Sequence, residues 1–406
     1  MSTPGGTDRL EADLRALSQF GADGAAVTRV AWTGELRDAY EWLAGRCRDL
    51  GLDVEVDAAG NLIARWNVGS GPAVVLGSHI DTVPRGGRFD GALGVMGGLH
   101  AIRLLKERGV QPQRPVWLVA FMDEENTRFG TALFGSRAFA GEDLGDLGDR
   151  TDRAGVTLGK AMRGWERDLA DIGAAKAIDG VGTYLELHIE QGPQLESESI
   201  DLGVVTSIVG IVGYRVCITG QANHAGTTPM HLRRDALVGA AQVVLGVRRL
   251  ALERLGATAN VGVIEVEPGG SNVVPGRSTL TLDLRSPTDD GLAEFEAAAI
   301  GLVEAVCRDE RLEVSFEPTY RISSAPMDSA LIELADGSGR LEEATVRRMA
   351  SGAGHDAMVM ARHVPTAMIF VPSRDGISHS PDEHTTPEHC ALGARVLARM
   401  VASLVA

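Results

Sequence analysis

Five side chains that could bind metal ions are distributed over four segments of this chain: His79, Asp90, Glu125, His188 and His379. Four of them follow apolar or alternating segments typical of strands, or lie in the loops after them, whereas His188 lies inside such a segment. Imidazole and carboxylate ligands suit Zn, Mn, Co or Ni, and affinity order does not choose among these metals. Because one carboxylate offers two oxygens, the set predicts a pair of divalent ions bridged by Asp90.

The first two of these side chains lie in one segment, Val74–Leu99. An apolar run typical of a buried parallel strand ends in Ser-His-Ile-Asp, and a loop rich in glycine then leads to Asp90. In an extended segment, Asp81 points to the same side as His79. We therefore expect the Asp81 carboxylate to orient the His79 imidazole and to select its tautomer.

Hydrolysis at such a metal pair also needs a base beside the attacking water. Glu124 and Glu125 follow the apolar run Val116–Met122, and neighbouring side chains diverge, so one can bind metal while the other carries protons. A solvated acidic loop is the alternative for this pair of glutamates. With Glu125 as a ligand, Glu124 is the predicted base.

Polar residues in the second half of the chain offer further candidates. His224 lies in a tight turn after a strand, where an imidazole could stabilise an oxyanion. Asn272 lies in a turn rich in glycine, and Arg285 ends a strand, where a guanidinium could bind a carboxylate. Turn formation and a surface ion pair are the alternatives for these two residues. His355, in SGAGHDA, could be near the site or structural.

The elements that must position these side chains predict an α/β fold with a mostly parallel central sheet. Strand, helix and strand follow one another from Val74 to Met122, which indicates a parallel crossover. Between 210 and 322 the order changes to β-α-β-β-α-β, the ferredoxin-like pattern. We therefore predict a catalytic domain in two parts, 1–209 and 323–406, with an inserted α+β domain at 210–322.

The composition excludes several classes of function. The net charge is -16, from 39 basic and 55 acidic residues, which argues against binding to nucleic acid or to an anionic membrane. The four cysteines form no CxxC pair and are typical of reduced thiols in a cytoplasmic protein. The N-terminal segment lacks the apolar region of a signal peptide, and we find no apolar run of membrane-spanning length.

Several long motifs together resemble one family. They are SHIDTVPRGGRFDGALGV, FMDEENTRFG, LELHIEQGP, NHAGTTPM, RRDAL, GGSNVVPG, SGAGHDA and SRDGISHSPDE. The chain resembles the M20 metallopeptidase-related amidohydrolases, from about residue 10 to its end. Within them it is similar to the hydantoinase/carbamoylase branch, which holds N-carbamoyl-L-amino-acid hydrolases, β-ureidopropionases and allantoate amidohydrolases. The family fold is a di-metal catalytic domain with an inserted dimerisation domain, or lid.

The resemblance implies a role for each candidate residue. His79, Asp90 and His188 would hold one ion, and Asp90, Glu125 and His379 the other, with Glu124 as base and proton shuttle. His224 would stabilise the oxyanion in the site of the partner subunit of a homodimer. The substrate carboxylate would bind Asn272 and Arg285, with Gln191 near the ureido end. Such contacts require the insert to close on the catalytic domain, with pivots near Gly210 and Ile322.

The activity that follows from this resemblance is hydrolysis of a small ureido carboxylate. We expect cleavage of the carbamoyl group from an N-carbamoyl-L-amino acid, which yields the amino acid, CO2 and ammonia. Allantoate hydrolysis in purine breakdown is the alternative, since the same arginine and metals would serve both substrates. A dipeptidase is less favoured because the peptidase branch usually has a carboxylate where this chain has His188. A catalytically silent binding protein is also less favoured, because every ligand and the base are present.

Overall fold

A computed structural model describes residues 6–406, with side chains from residue 8 onward. The chain forms two compact units. Unit 1 combines the chain up to Thr206 with Met327–Met349 and Ala353–Ala406, and unit 2 comprises Ser207–Pro326 with Ala350–Gly352. Among the described residues, no helix has the length and apolar character needed to cross a membrane.

Helices and strands are numbered in chain order over both units. Up to residue 208 they are α1 (Gly6–Leu17), β1 (Ala22–Asp23), β2 (Ala26–Val27), α2 (Gly34–Asp49), β3 (Asp53–Val56), β4 (Leu62–Trp66), β5 (Ala73–His79), α3 (Ala92–Glu107), β6 (Val116–Phe121), α4 (Phe134–Ala140), α5 (Leu158–Arg163), β7 (Val181–Ile189), α6 (Gln194–Ser197) and β8 (Leu202–Ile208). Short 3₁₀ turns complete the segment between α5 and β7.

The remaining elements begin with those of unit 2. They are β9 (Gly210–Thr219), β10 (Asn223–His224), α7 (Ala236–Leu252), β11 (Thr258–Asn260), β12 (Ile264–Glu267), β13 (Val273–Val274), β14 (Arg277–Ser286), α8 (Asp289–Asp309), β15 (Glu313–Ile322) and β16 (Ala325–Pro326). After them come α9 (Ser329–Leu341), β17 (Val346–Ser351), α10 (Asp356–Met360), β18 (Thr366–Val371) and α11 (Pro387–Leu404).

The central sheet is parallel in its middle, as the apolar runs predict. Its strands follow the order β8-β18-β7-β5-β6-β4-β3, and β16 and β17 both pair with β8. The pairs β18–β7, β7–β5 and β5–β6 are parallel, whereas β6–β4 and β4–β3 are antiparallel. Every residue of β5 and β18 is buried, which explains their continuous apolar sequences. The α/β fold class is therefore confirmed.

Unit 2 has the predicted ferredoxin-like order of elements. Its antiparallel sheet runs β11-β14-β9-β15, with β12 beside β14, and both long helices pack on it. The core between them contains Val216, Leu282, Val243 and Phe295. The short strands β1, β2, β10, β11, β13 and β16 are not predicted from the sequence. Neither is β17 of the central sheet, whose residues VRRMAS include polar ones at consecutive positions.

Candidate metal centre

The carboxyl ends of four neighbouring parallel strands carry the predicted ligands. His79 is the last residue of β5, His188 lies near the end of β7, and Glu125 follows β6. His379 lies in the loop after β18. Because parallel strands end at the same edge of a sheet, residues far apart in the sequence meet there.

Three of these side chains form a first cluster, in which the potential ligand atoms all lie within 4.8 Å of one another: His79, Asp90 and His188. The Nε2 atom of His188 is 3.2 Å from Oδ1 of Asp90, and that of His79 is 4.0 Å from the same oxygen. All three side chains are buried. The cluster therefore offers two nitrogens and one oxygen to a single small volume.

A second cluster consists of Asp90, Glu125 and His379 and meets the same distance limit. The Nε2 atom of His379 is 3.0 Å from Oδ2 of Asp90 and 3.5 Å from Oε2 of Glu125. Asp90 thus faces the first cluster with Oδ1 and the second with Oδ2. A carboxylate placed in this way could bridge two ions, the role that the sequence analysis expects of Asp90.

The tautomers of the two buried imidazoles follow from their contacts with main-chain carbonyls. Nδ1 of His79 is 3.0 Å from the carbonyl oxygen of Asp81, and Nδ1 of His188 is 2.9 Å from that of Ile189. With a proton on each Nδ1, Nε2 is the atom of the neutral imidazole that can bind a metal.

The part that Asp81 plays differs from the expectation. Its carboxylate is 3.7 Å from Nδ1 of His79, beyond hydrogen-bond distance. Instead the carboxylate accepts the backbone N–H groups of Glu124 and Glu125, at 3.4 and 3.3 Å. The imidazole is therefore oriented by the main chain of Asp81, while its side chain positions the two glutamates. A periodicity of two cannot distinguish these arrangements, because both place Asp81 on the same side.

Burial and neighbouring charges raise the pKa values of Glu124 and Glu125. Burial, followed by the charges of Asp356 and Glu125, raises the pKa of Glu124 well above its ordinary value. Burial and then the charge of Asp90 raise the pKa of Glu125 to about 8. Glu124 is also near the first cluster, with Oε2 at 3.8 Å from Nε2 of His79. Several carboxyl groups thus share one buried place, and a bound cation would favour their ionised forms.

Unsatisfied polar atoms at the same place support a metal site. Oε1 of Glu125 and Oε1 of Gln191 are buried and have no hydrogen-bond partner among residues 6–406. The two clusters offer nitrogen and oxygen donors, and these are the ligands that Zn, Mn, Co and Ni accept. The residues present therefore fit divalent metal ions.

Gln191 lies directly beside the shared carboxylate. Its Nε2 atom donates hydrogen bonds to Oδ2 of Asp90, at 3.1 Å, and to Oγ of Ser378, at 3.2 Å. Its backbone is in the left-handed region, with φ at 57°. Its free amide oxygen is an acceptor that a substrate N–H group could use.

His224, predicted to stabilise the oxyanion, and Asn272, predicted to bind the substrate, lie close together within unit 2. β10 pairs with β13 so that His224 is opposite Val273, next to Asn272. Nδ1 of His224 accepts the backbone N–H groups of Gly226 and Thr227, at 3.0 and 3.2 Å. The hydrogen-bond network therefore assigns the imidazole proton to Nε2, which makes this exposed side chain a hydrogen-bond donor.

Arg285 lies at the opposite end of β14 from this pair. It is eight positions after Arg277 on this extended strand, a separation of about 27 Å. Its guanidinium donates to both carboxylate oxygens of Asp283, at 2.8 and 3.2 Å, and to the carbonyl of Gly352, at 2.9 Å. Within unit 2, Arg285 is therefore not brought together with Asn272, although both are predicted to bind one carboxylate.

Two buried residues beside the clusters are not predicted as part of the site. His355, whose role the sequence leaves open, has its ring centroid 4.5 Å from that of His188. Together with Glu186 these histidines form a third group that meets the same distance limit. Glu383 accepts the backbone N–H groups of Phe89 and Asp90. Glu383 is the last residue of the motif SRDGISHSPDE, but nothing in this pattern assigns it a role.

Comparison with known proteins agrees with this geometry. Residues 75–403 match peptidase family M20/M25/M40. The chain is 38% identical over 403 residues to an N-carbamoyl-L-amino-acid amidohydrolase of Paenarthrobacter aurescens, which covers 98% of each chain. It is 35% identical over 395 residues to an allantoate amidohydrolase of Bacillus subtilis (strain 168), covering 96% of this chain and 95% of the relative.

The chain also resembles a solved structure over nearly its whole length. The crystal structure of an amidase of the hydantoinase/carbamoylase family from Burkholderia multivorans superposes with a TM-score of 0.90, at 37% identity and 98% coverage of both chains. The family is metal-dependent, in agreement with the His, Asp and Glu clusters described above. The chain therefore belongs to peptidase family M20/M25/M40, in its hydantoinase/carbamoylase branch of amidohydrolases.

Proposed function

We propose that this protein hydrolyses the carbamoyl C–N bond of an N-carbamoyl-L-amino acid and releases the L-amino acid, CO2 and ammonia. The observation that carries the proposal is the pair of clusters joined at Asp90 in a chain whose relatives are named as N-carbamoyl-L-amino-acid amidohydrolases. The coarser activity, hydrolysis of a carbamoyl or ureido amide, agrees with all these names.

Two divalent ions, Zn, Mn, Co or Ni, would complete this site. His79, Asp90 and His188 would hold one of them, and Asp90, Glu125 and His379 would hold the other. When bound, such ions polarise the ureido carbonyl and lower the pKa of water. The protein contributes the fixed Nε2 lone pairs and the two directions of the Asp90 carboxylate.

Glu124 carries the protons of the reaction. It accepts a proton from the water that attacks the ureido carbon and gives a proton to the nitrogen that leaves when the C–N bond breaks. Two features support this role: it neighbours the ligand Glu125, and it lies beside His79 without belonging to either cluster. Asp81 holds the backbone of both glutamates, so that one side chain binds metal while the other remains available.

His224 stabilises the oxyanion that forms at the ureido carbon. Its Nε2–H group is a donor of suitable chemistry, because the backbone of Gly226 and Thr227 occupies Nδ1. Asn272, beside it, and Arg285 bind the substrate carboxylate, and the free Oε1 of Gln191 accepts from the ureido end. Arg285 and Asn272 lie far apart in one copy of unit 2, which favours a site completed by two subunits.

The partner in this proposal is a second copy of the chain, bound through unit 2. Val238, Leu245 and Leu252 recur every seven residues on α7 and are 41%, 63% and 71% exposed. Ile264, on the short strand β12 at the margin of the same sheet, is 42% exposed. An apolar stripe beside a sheet margin suits self-association about a two-fold axis, since each copy offers the same surface to the other.

Allantoate is the alternative substrate. It too combines a carboxylate with ureido groups, and two relatives at 35% identity are named allantoate amidohydrolases. A dipeptidase would need a different recognition of the nitrogen substituent and is less favoured.

The test is ammonia release by protein reconstituted with Mn or Co, measured in parallel on N-carbamoyl-L-methionine and on allantoate. We expect preference for the carbamoyl amino acid, and the Glu124→Gln variant should lose most of this activity. Preference for allantoate would move the protein to purine breakdown with the same mechanism. A metal-loaded protein that acts on neither substrate would contradict the proposal.

A further inference from the structure

Glu383 connects the loop that carries Asp90 with the loop that carries His379. It follows His379 by four residues, and only 5% of its surface is exposed. Its Oε1 atom accepts the backbone N–H groups of Phe89 and Asp90, at 2.8 and 3.1 Å. Since 293 residues separate Asp90 from Glu383, this contact joins distant parts of the chain.

The other oxygen of Glu383 reaches the side chain of Asp90 through a serine. Oε2 lies 2.9 Å from Oγ of Ser378, and Oγ lies 3.3 Å from Oδ2 of Asp90. Gln191 donates to both Ser378 and Asp90. Glu383 therefore holds the main chain of Asp90 directly and its outer carboxylate oxygen through Ser378.

The position opposite Glu383 must be glycine for this arrangement to exist. A Cβ atom on Gly87 would lie 2.2 Å from Oε1 and 2.5 Å from Cβ of Glu383. Because contacts under about 3 Å are repulsive, a side chain at 87 would push the carboxylate away from the two N–H groups. The Asp90 loop is thus shaped to receive this carboxylate.

We infer that Glu383 is a positioning residue for the metal pair: it sets the place of Asp90 relative to His379 and so the affinity of both clusters. The inference rests on the proposed function for its link to catalysis, but not for its effect on metal binding. Residues that orient metal ligands commonly contribute about 10- to 100-fold to metal affinity. Asp90 belongs to both clusters, so a displacement of this one residue weakens both.

The test is titration of the full-length metal-free protein with Co²⁺ alone, followed by calorimetry and by the visible absorption of bound cobalt. Glu383→Ala should bind Co²⁺ at least about tenfold more weakly than the unmodified protein. Glu383→Gln should recover most of the affinity, because its amide oxygen can accept both N–H groups while its NH2 group donates to Ser378. Glu388→Ala, at an exposed glutamate five residues on, is the matched control.

A second variant keeps the inference testable if Glu383→Ala does not fold. Gly87→Ala retains the carboxylate but displaces it, and it should weaken Co²⁺ binding in the same direction. Undiminished affinity in Glu383→Ala or in Gly87→Ala would overturn the inference. Equal loss in Glu383→Ala and Glu383→Gln would do so too, because charge and not hydrogen-bond geometry would then be responsible.

The outcomes separate this inference from the proposed function. If the unmodified protein hydrolyses neither ureido substrate while the cobalt titrations differ as expected, the proposed function fails and the role of Glu383 stands. If ureido hydrolysis is found while the variants bind cobalt normally, the reverse holds.

Discussion

The carboxylate of Asp90 faces His188 with one oxygen and His379 with the other, at 3.2 and 3.0 Å. Its side chain is buried, so the negative charge is not screened by water. Burial opposes ionisation, but the hydrogen bonds of His188 and His379 and the charges of His188 and His79 hold the pKa of Asp90 well below its ordinary value. Asp90 is therefore ionised at neutral pH and available to two cations at once.

At the residue scale, the first prediction concerns Glu124. Glu124→Gln removes the proton acceptor but keeps the shape of the side chain, so kcat should fall about 10²- to 10⁴-fold with KM little changed. Metal content, measured by atomic absorption, should equal that of the unmodified protein because Glu124 belongs to neither cluster. Turnover near the original rate would show that another group is the base.

The second prediction concerns pH and metal binding. The hydrogen bond to Asp90 raises the pKa of His379 to about 9, and burial raises that of Glu125 to about 8. Both groups carry protons at neutral pH in the metal-free protein, and metal must displace them. Metal affinity should therefore fall as the pH is lowered from 9 to 6, by about tenfold per pH unit for each proton displaced.

Calorimetry in buffers of different ionisation enthalpy would count the protons that metal binding releases. Release of protons at pH 7 is the expected result. Binding that neither releases protons nor depends on pH in this range would show that His379 and Glu125 are already deprotonated in the metal-free protein.

At the scale of elements, the turn between β5 and α3 depends on a glycine beside a ligand. Gly91 precedes α3 with φ at 64°, and a Cβ atom there would lie 2.4 Å from Nε2 of His79. A positive φ strains any residue other than glycine, whereas the contact with the imidazole is specific to this site. The end of β5 and the start of α3 can thus converge on one metal only if position 91 has no side chain.

The third prediction separates these two effects. Gly91→Ala should lower both metal affinity and activity, whereas Gly109→Ala should lower only the melting temperature. Gly109 is the matched control because its φ is 68° and nothing lies within 4 Å of its added Cβ. Equal metal affinity in the two variants would show that His79 accommodates the methyl group, so that backbone strain alone accounts for the loss.

At the scale of the whole molecule, the proposed homodimer makes the active site a shared structure. His224 is exposed in a single copy and has its donor nitrogen free of the backbone contacts that hold Nδ1. When one residue acts in the partner's site and another acts in its own subunit's site, variants of the two residues can complement each other in a mixed dimer.

The fourth prediction uses this separation. Glu124→Gln and His224→Ala homodimers should each be nearly inactive, but mixing them with subunit exchange should restore about a quarter of the original activity, since half the dimers are mixed and each has one intact site. Ammonia release before and after mixing measures the recovery, and native mass spectrometry verifies the mixed dimers. No recovery in verified mixed dimers would place both residues in the same subunit's site.

Local sequence was sufficient for the longer strands and helices of both units, apart from β17, and for naming the candidate ligands. Buried parallel strands such as β5 and β18 have continuous apolar sequences, and a polar residue at the end of such a run is conspicuous. The ferredoxin-like order of unit 2 likewise follows from periodicity alone. β17 escapes such a prediction because its sequence lacks that periodicity.

Only the tertiary structure decided which groups touch. Glu383 accepts a hydrogen bond from Asp90, 293 residues away in the chain. The ring of His355 contacts that of His188, and Arg285 donates a hydrogen bond to Asp283. The sequence determined the residue types and the strands that carry them, because propensity and burial act on neighbours along the chain. His79 contacts the carbonyl of Asp81 and not its carboxylate. The two distances differ by less than 1 Å, a difference that long-range packing sets.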